Sequence, residues 1–217
     1  MNRQGHRVIH GRRKIVKQNN RKTVNYVIVT NTQGTEKSYF DGLRENLPEK
    51  AKRYIVITTH ETHLRTMVHK CRTEVYKDHQ FRQGWLVFDR DEVKDFDEII
   101  EKAEGYHLHC AWSNPCFEIW LYAYYGKMPE FLNSQQCWKA FGKEFQKRTE
   151  IPYEKNDRWL YRHLMETGDE EKAIQLAIQK LNQCYREGKE IPSEMYPCTK
   201  VYELVKDIKE NAIRYMS

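Results

Sequence analysis

Two aspartates, Asp89 and Asp91, stand two residues apart directly after the apolar run Trp85-Leu-Val-Phe88. A short apolar run bounded by polar sequence reads as a strand buried on both faces, which puts the acidic pair at its carboxyl end. Strand side chains alternate with period two, so both carboxylates can face one side and share a hard cation such as Mg²⁺ or Mn²⁺. A cation held there would stabilise charge on phosphoryl oxygens and acidify its water, as phosphodiester hydrolysis requires. The spacing alone carries little, because two aspartates after a strand also serve as a turn and a helix cap. Glu92 and Asp95 read as capping or solvent-facing residues, and Arg90 is placed to balance the carboxylates or touch a phosphate.

Charge gives a second signal. The first 35 residues hold eight basic side chains and no acid, and the remainder carries 29 basic against 31 acidic residues, so the net charge of +6 resides in an N-terminal arm. Basic residues gain affinity for a polyanion by releasing counterions from its phosphates, which makes Arg12, Arg13, Lys14, Lys17, Arg21 and Lys22 candidate nucleic-acid contacts. The arm does not distinguish DNA from RNA, and the same composition suits a disordered solvating tail.

At 217 residues the chain has length for one domain, or a core with an appendage, and needs no disulfide framework. Charged residues make up 31%, and no apolar stretch approaches membrane-spanning length. The basic N-terminus is followed by no secretory apolar core. The expectation is a soluble cytoplasmic protein without membrane association. Six cysteines without a CxxC pair read as buried reduced thiols. His60, Glu61, His63, His69 and Cys71 lack the HExxH order and a second ligand pair, and read as surface histidines rather than structural zinc.

The elements that must position the acidic pair follow from alternating strand and helix signals. Tyr26-Val-Ile-Val-Thr30 predicts a strand that turns at Asn31-Thr-Gln-Gly34, with Thr32 or Thr35 capping a helix through Tyr39, Phe40, Leu43 and Leu47 until Pro48. Tyr54–Thr58 predicts a second strand and His63–Asp78 a helix. Trp85–Phe88 is the third strand, followed by a helix through Phe96, Ile99, Ile100 and Ala103 that Gly105 caps. Tyr106–Trp112 predicts a fourth strand, and Ser113-Asn-Pro115 leads into an apolar helix over Phe117–Tyr125. Four alternations imply right-handed crossovers and a mainly parallel four-stranded sheet covered on both faces. From residue 129 onward helical segments are expected near 134–145, 157–165, 169–187 and 199–215, with no strand. The expected organisation is a basic arm over 1–23, an α/β core over 24–128 and a helical C-terminal appendage over 129–217.

In open parallel sheets, ligands collect outside the carboxyl ends of the strands, where loops diverge and helix N-termini converge. Asn31–Glu36, Asp89–Glu92 and Ser113–Glu118 all fall at that edge. Glu118, inside Phe117-Glu-Ile-Trp-Leu121, is expensive to bury unless paired or bound to metal, which makes it a functional candidate; a salt bridge to Arg90 is the structural alternative. Glu36 is a second candidate, with a helix-cap or dipole role as its alternative. Trp120, Tyr122, Tyr124 and Tyr125 could stack on unpaired bases, but their dense spacing favours packing.

Tyr26–Phe40, Leu86-Val-Phe-Asp-Arg-Asp-Glu92, Ser113-Asn-Pro-Cys-Phe-Glu-Ile-Trp-Leu121 and Tyr196-Pro-Cys-Thr-Lys-Val-Tyr-Glu-Leu204, in this order and behind a basic arm, resemble the RloB-like family of the Toprim superfamily, associated with abortive phage defence and bacterial restriction loci. The resemblance implies a Toprim-like, Rossmann-like sheet in which a glutamate after the first strand joins the DxD after the third around Mg²⁺ or Mn²⁺. Here that glutamate falls on Asn31, while Thr35 and Glu36 match the family's later Thr-Glu. Asparagine can offer a carbonyl oxygen to a metal, but not the charge that draws it in. The expected activity is nucleic-acid phosphodiester cleavage, of DNA or RNA including tRNA, with Asp89, Asp91 and Asn31 at the metal; Glu118, with or without Glu36, would compensate for the missing glutamate, completing the shell or orienting water beside the catalytic Asp89 and Asp91. A weakened module that binds nucleic acid or a partner without cleaving is the alternative that Asn31 supports. The resemblance further implies an AAA-type ATPase as partner, and a homo-oligomer stays open. A phosphate loop is not matched, because Asn31-Thr-Gln-Gly34 lacks the lysine and glycine density, and the chain has no room for primase or topoisomerase domains.

Overall fold

A computed structural model describes residues 23–31, 34–77, 82–91 and 93–216. The arm contacts Arg12, Arg13, Lys14, Lys17, Arg21 and Lys22 lie outside the described residues, as do the cap candidate Thr32 and Glu92.

The chain alternates strand and helix as the sequence predicts, although the fourth strand begins at His109, after a turn at Tyr106–His107, and runs on through Ser113 and Asn114. Strand β1 (Val24–Asn31) leads to α1 (Thr35–Glu45) and the single turn α2 (Glu49–Lys52) behind Pro48. Strand β2 (Ile55–Thr62) leads through a 3-10 turn (Leu64–Thr66) to α3 (Met67–Val75), β3 (Gln83–Asp89) to α4 (Phe96–Gly105), and β4 (His109–Asn114) to α5 (Glu118–Ala123). The C-terminal half contributes α6 (Ser134–Thr149), α7 (Leu160–Thr167), α8 (Glu170–Arg186), the short strand β5 (Cys198–Thr199) and α9 (Val201–Met216). Gly105 proves to be the last residue of α4; the left-handed residue that ends the turn is His107, at φ 57°.

The sheet runs β2-β1-β3-β4-β5, with the first four strands parallel and β5 antiparallel to β4. Among the described residues it therefore has five strands rather than the expected four. Two residues are too short for an alternation pattern, and Cys198–Thr199 pairs only because Asn114 and Ser113 meet it in register. The Ser113 and Thr199 hydroxyls lie 2.9 Å apart, and the Asn114 side-chain amide donates to the carbonyls of Ser193 and Met195 at 3.2 and 2.9 Å. Helix α9 packs on β4 and β2. There the Tyr26 hydroxyl donates to Asp207 at 2.5 Å and accepts from Asn211 at 2.8 Å. The C-terminal region thus helps build the sheet layer as well as adding helices.

Strand order places a topological switch between β1 and β3. From β1 the chain crosses to β2 on one side, and it returns to β3 on the other, so the loops leaving β1 and β3 diverge and open a crevice. That crevice lies beside the first turn of α1 and the end of β3. Beneath it, Val27, Ile28, Val29, Leu86, Val87 and Phe88 are buried on both faces, giving the crevice a rigid floor.

Trp120, Tyr122, Tyr124 and Tyr125 all turn into the core. Tyr39 sits among Phe40, Phe117, Trp120, Tyr124 and Tyr161 in edge-to-face contacts. Packing, not base stacking, accounts for the aromatic run of α5.

Candidate functional site

Asp89 ends β3 in register with Ser113. Beyond it the chain leaves the strand: the Arg90 N–H donates to the Ser113 carbonyl at 2.8 Å and the Asp91 N–H to the Pro115 carbonyl at 2.9 Å. Asp91 consequently takes a left-handed backbone, φ 25°, and the period-two geometry expected for the pair does not hold. Asp91 is exposed, and its Oδ1 accepts from the Ser134 hydroxyl at 2.6 Å. Asp89 turns inward, and its Oδ1 is buried without a hydrogen-bond partner. The two aspartates share a cavity wall but not an orientation.

The groups gathered with Asp89 are Glu36 and Glu118, 6% and 2% exposed. Glu36 lies in the first turn of α1 and folds back over Gly34. A Cβ at position 34 would fall 1.8 Å from Glu36 Oε2, so only glycine leaves room for the carboxylate where it stands. Glu118 opens α5, and its Oε1 accepts from the Tyr153 hydroxyl at 2.8 Å, with the Lys155 ammonium at 3.8 Å. The Tyr153 hydroxyl also lies 2.9 Å from that of Thr35, beside Glu36 in sequence. Arg90 does not play the expected part opposite Glu118: its guanidinium donates to the Val93 carbonyl at 2.8 Å, and Tyr153 and Lys155 occupy the carboxylate instead.

Electrostatics bind the three carboxylates into one unit. Burial, followed by the charge of Glu118, pushes Glu36 up to about 7, against opposing help from its own backbone N–H and Lys155. Burial and the charges of Glu36 and Glu118 hold Asp89 well above the usual carboxylate range, although the Phe117 N–H donates to it. Buried like charges cannot all ionise without a counter-charge. Lys155 supplies part of one and lowers both Glu36 and Asp89.

A cavity of about 430 Å³ opens beside Asp89, lined also by Asp91, Cys116, Asn133, Ser134, Gln135, Trp138 and Lys155. The Cys116 thiol is pushed well up by its hydrogen bond with Cys137, by burial and by Glu118, so it offers no thiolate nucleophile. Asn31 ends β1 at the same sheet edge, in register with Thr62, and is half-buried.

Among the described residues no group of three or more His, Cys, Asp or Glu side chains forms a ready metal cage. The donor chemistry nevertheless fits a hard divalent cation: three carboxylates, one with an orphaned buried oxygen. The cluster His60, Glu61, His63, His69 and Cys71 is dispersed, with His60 3.7 Å from Glu74 and Cys71 buried beneath Trp85. All six cysteines are free and buried.

The structure thus unites Asp89 with Glu36 and Glu118, leaves Asp91 on the rim, and turns Arg90 to the adjoining loop. Three participants carry no sequence signal of their own. Tyr153 and Lys155 lie in the irregular segment between α6 and α7, and Trp138 flanks the buried stripe of α6.

Among the described residues no helix is long and apolar enough to cross a membrane. A family model described as RloB-like protein matches residues 26–208. No curated protein and no solved structure matches the chain.

Proposed function

Because the chain belongs to the RloB-like family, we propose that it is a divalent-metal-dependent phosphodiesterase acting on nucleic acid, in the anti-phage setting that the family resemblance implies. The carrying observation is Asp89: a carboxylate at the switch point of the sheet, with one oxygen buried and unpartnered, that feels the charges of Glu36 and Glu118. Structural carboxylates are usually buried with hydrogen bonds or ion pairs that satisfy them. An unsatisfied acidic group beside a cavity is better explained by a ligand that is itself a cation.

Asp89, Glu36 and Glu118 are the groups that would hold Mg²⁺ or Mn²⁺, with Asp91 and the Asn31 carbonyl oxygen at the margin. When bound, the ion would supply positive charge to phosphoryl oxygens and acidify a water molecule. Hydrolysis would join a water oxygen to phosphorus and break the bond to the leaving sugar oxygen, which would take up a proton that the water gives up. Without the ion, burial and Glu118 push Glu36 up to about 7, so taking up the cation near neutral pH would release its proton. Tyr153 fixes Glu118 by its hydrogen bond, and Lys155 presents a positive charge on the cavity wall to a phosphate.

Asn31, in place of a carboxylate, and the unclosed ligand shell favour a second reading, a module that binds nucleic acid without cutting it. Labelled tRNA, single-stranded DNA and plasmid, incubated with the purified chain and Mg²⁺ or Mn²⁺, decide between them. The enzyme predicts products that vanish with Asp89→Ala. Binding without products in either metal would overturn it in favour of the module. The AAA-type ATPase partner belongs to the same proposal and is tested by co-purification from cells expressing both proteins.

A further inference from the structure

We propose that the cavity beside Asp89 takes single-stranded nucleic acid, with an unpaired base stacked on Trp138 and an adjoining phosphate held by Lys155. This inference rests on the reading that the site acts on nucleic acid, and it adds the strand class. On α6, Cys137, Phe141 and Phe145 recur at helical spacing and are fully buried. Trp138 sits next to that stripe and is only half-buried, with its indole lining a largely polar cavity. The core does not require an aromatic ring there. Two ammonium groups flank the indole, those of Lys155 and Lys139, each 5.8 Å from its ring.

A flat ring beside positive charge is the arrangement that proteins use for unpaired bases, since every base has a face to stack and a phosphate to neutralise. In a duplex both faces of a base are covered by its neighbours, so the ring can be used only by a strand whose bases are free to splay. The cavity volume, about 430 Å³, lies within the range of small-ligand sites. Lys155 answers a further requirement. The cavity wall also carries Asp89 and Asp91, and a phosphate approaching two carboxylates is repelled unless a cation meets it. Lys155 is exposed enough to do so while staying 3.8 Å from Glu118, which places a bound phosphate beside the acidic trio.

The test is fluorescence anisotropy in EDTA, where metal-dependent cleavage does not occur, using the full chain with an end-labelled single strand and the same sequence as a duplex. The basic arm contributes to both, so the readout is the ratio of the two affinities. Trp138→Ala should weaken single-strand binding about 5- to 100-fold and leave duplex binding unchanged, and Trp138→Phe should keep most of the preference. Lys155→Gln should reduce the salt dependence of single-strand binding by about one phosphate contact, with circular dichroism confirming that the variant, which also loses the counter-charge 3.8 Å from Glu118, stays folded. Equal loss for both strands, no loss, a duplex preference or no binding at all would each overturn the proposal. Cleavage that persists alongside such a result leaves the nuclease reading intact. Trp138-dependent strand selection without cleavage in any metal refutes the nuclease and keeps this assignment.

Discussion

Glu36→Gln provides the sharpest test of the buried acidic trio. Folded protein holds the Glu36 proton up to about pH 7, whereas the unfolded chain releases it near 4.5. Between those values the folded state binds more protons than the unfolded one, so its stability falls as pH rises through the window. At 1.36 kcal/mol per pH unit the full penalty is about 3 kcal/mol, reached above the folded value and nearly absent below the unfolded one. Glutamine is close in shape and never ionises, so it escapes this penalty. Without divalent metal, Glu36→Gln should be more stable than the parent at pH 8 by about 3 kcal/mol, or about 6–12 °C in Tm for a chain of this size. The difference should shrink to under about 1 kcal/mol at pH 5. Urea unfolding followed by circular dichroism at the two pH values measures both. A Glu36→Gln protein that is destabilised equally at pH 5 and pH 8 would refute the idea that the carboxylate is held against its charge.

Other perturbations separate the parts of the site. Gly34→Ala puts a methyl group where Glu36 Oε2 lies; the carboxylate must swing away, and cleavage should fall at least about tenfold while Tm moves by only a few degrees. Mn²⁺ should raise the Tm of the parent in a concentration-dependent manner, an effect that Asp89→Asn abolishes and Asp91→Asn merely reduces, because Asp91 is exposed and bonded to Ser134; equal losses in both would show that the rim residue is a full ligand. Tyr153→Phe removes a hydroxyl that serves both Glu118 and Thr35 and should lower stability by about 1.5–3 kcal/mol, read by the same urea titration; a change near zero would mean that water replaces it without loss.

Much of this protein could be read from local sequence. Short apolar runs and period-3.6 patterns locate the four parallel strands and the helices between them, because burial of a whole strand or of one helix stripe is written residue by residue. The acidic segments fall at one sheet edge for the same reason: a parallel α/β alternation leaves only the carboxyl ends open. Glu118 was legible as a costly charge in an apolar helix, and Glu36 as an acid in a first turn. The family resemblance carried by four ordered segments agrees with the match over residues 26–208.

Tertiary structure decided which of those residues meet. Asp91 leaves the plane of Asp89 because its N–H is claimed by the Pro115 carbonyl, a bond from another loop that no spacing rule contains. Tyr153 reaches Thr35 across 118 residues of chain, and Lys155 and Trp138 come to the cavity only when α6 and the following loop dock on α5. β5 exists because β4 has a free edge for two residues to join. Periodicity reports how a segment meets water and core, a property of neighbours along the chain. The pairing of one loop with another depends on the whole packed assembly, and that pairing sets the charge, the orphaned oxygen and the stacking face of this site.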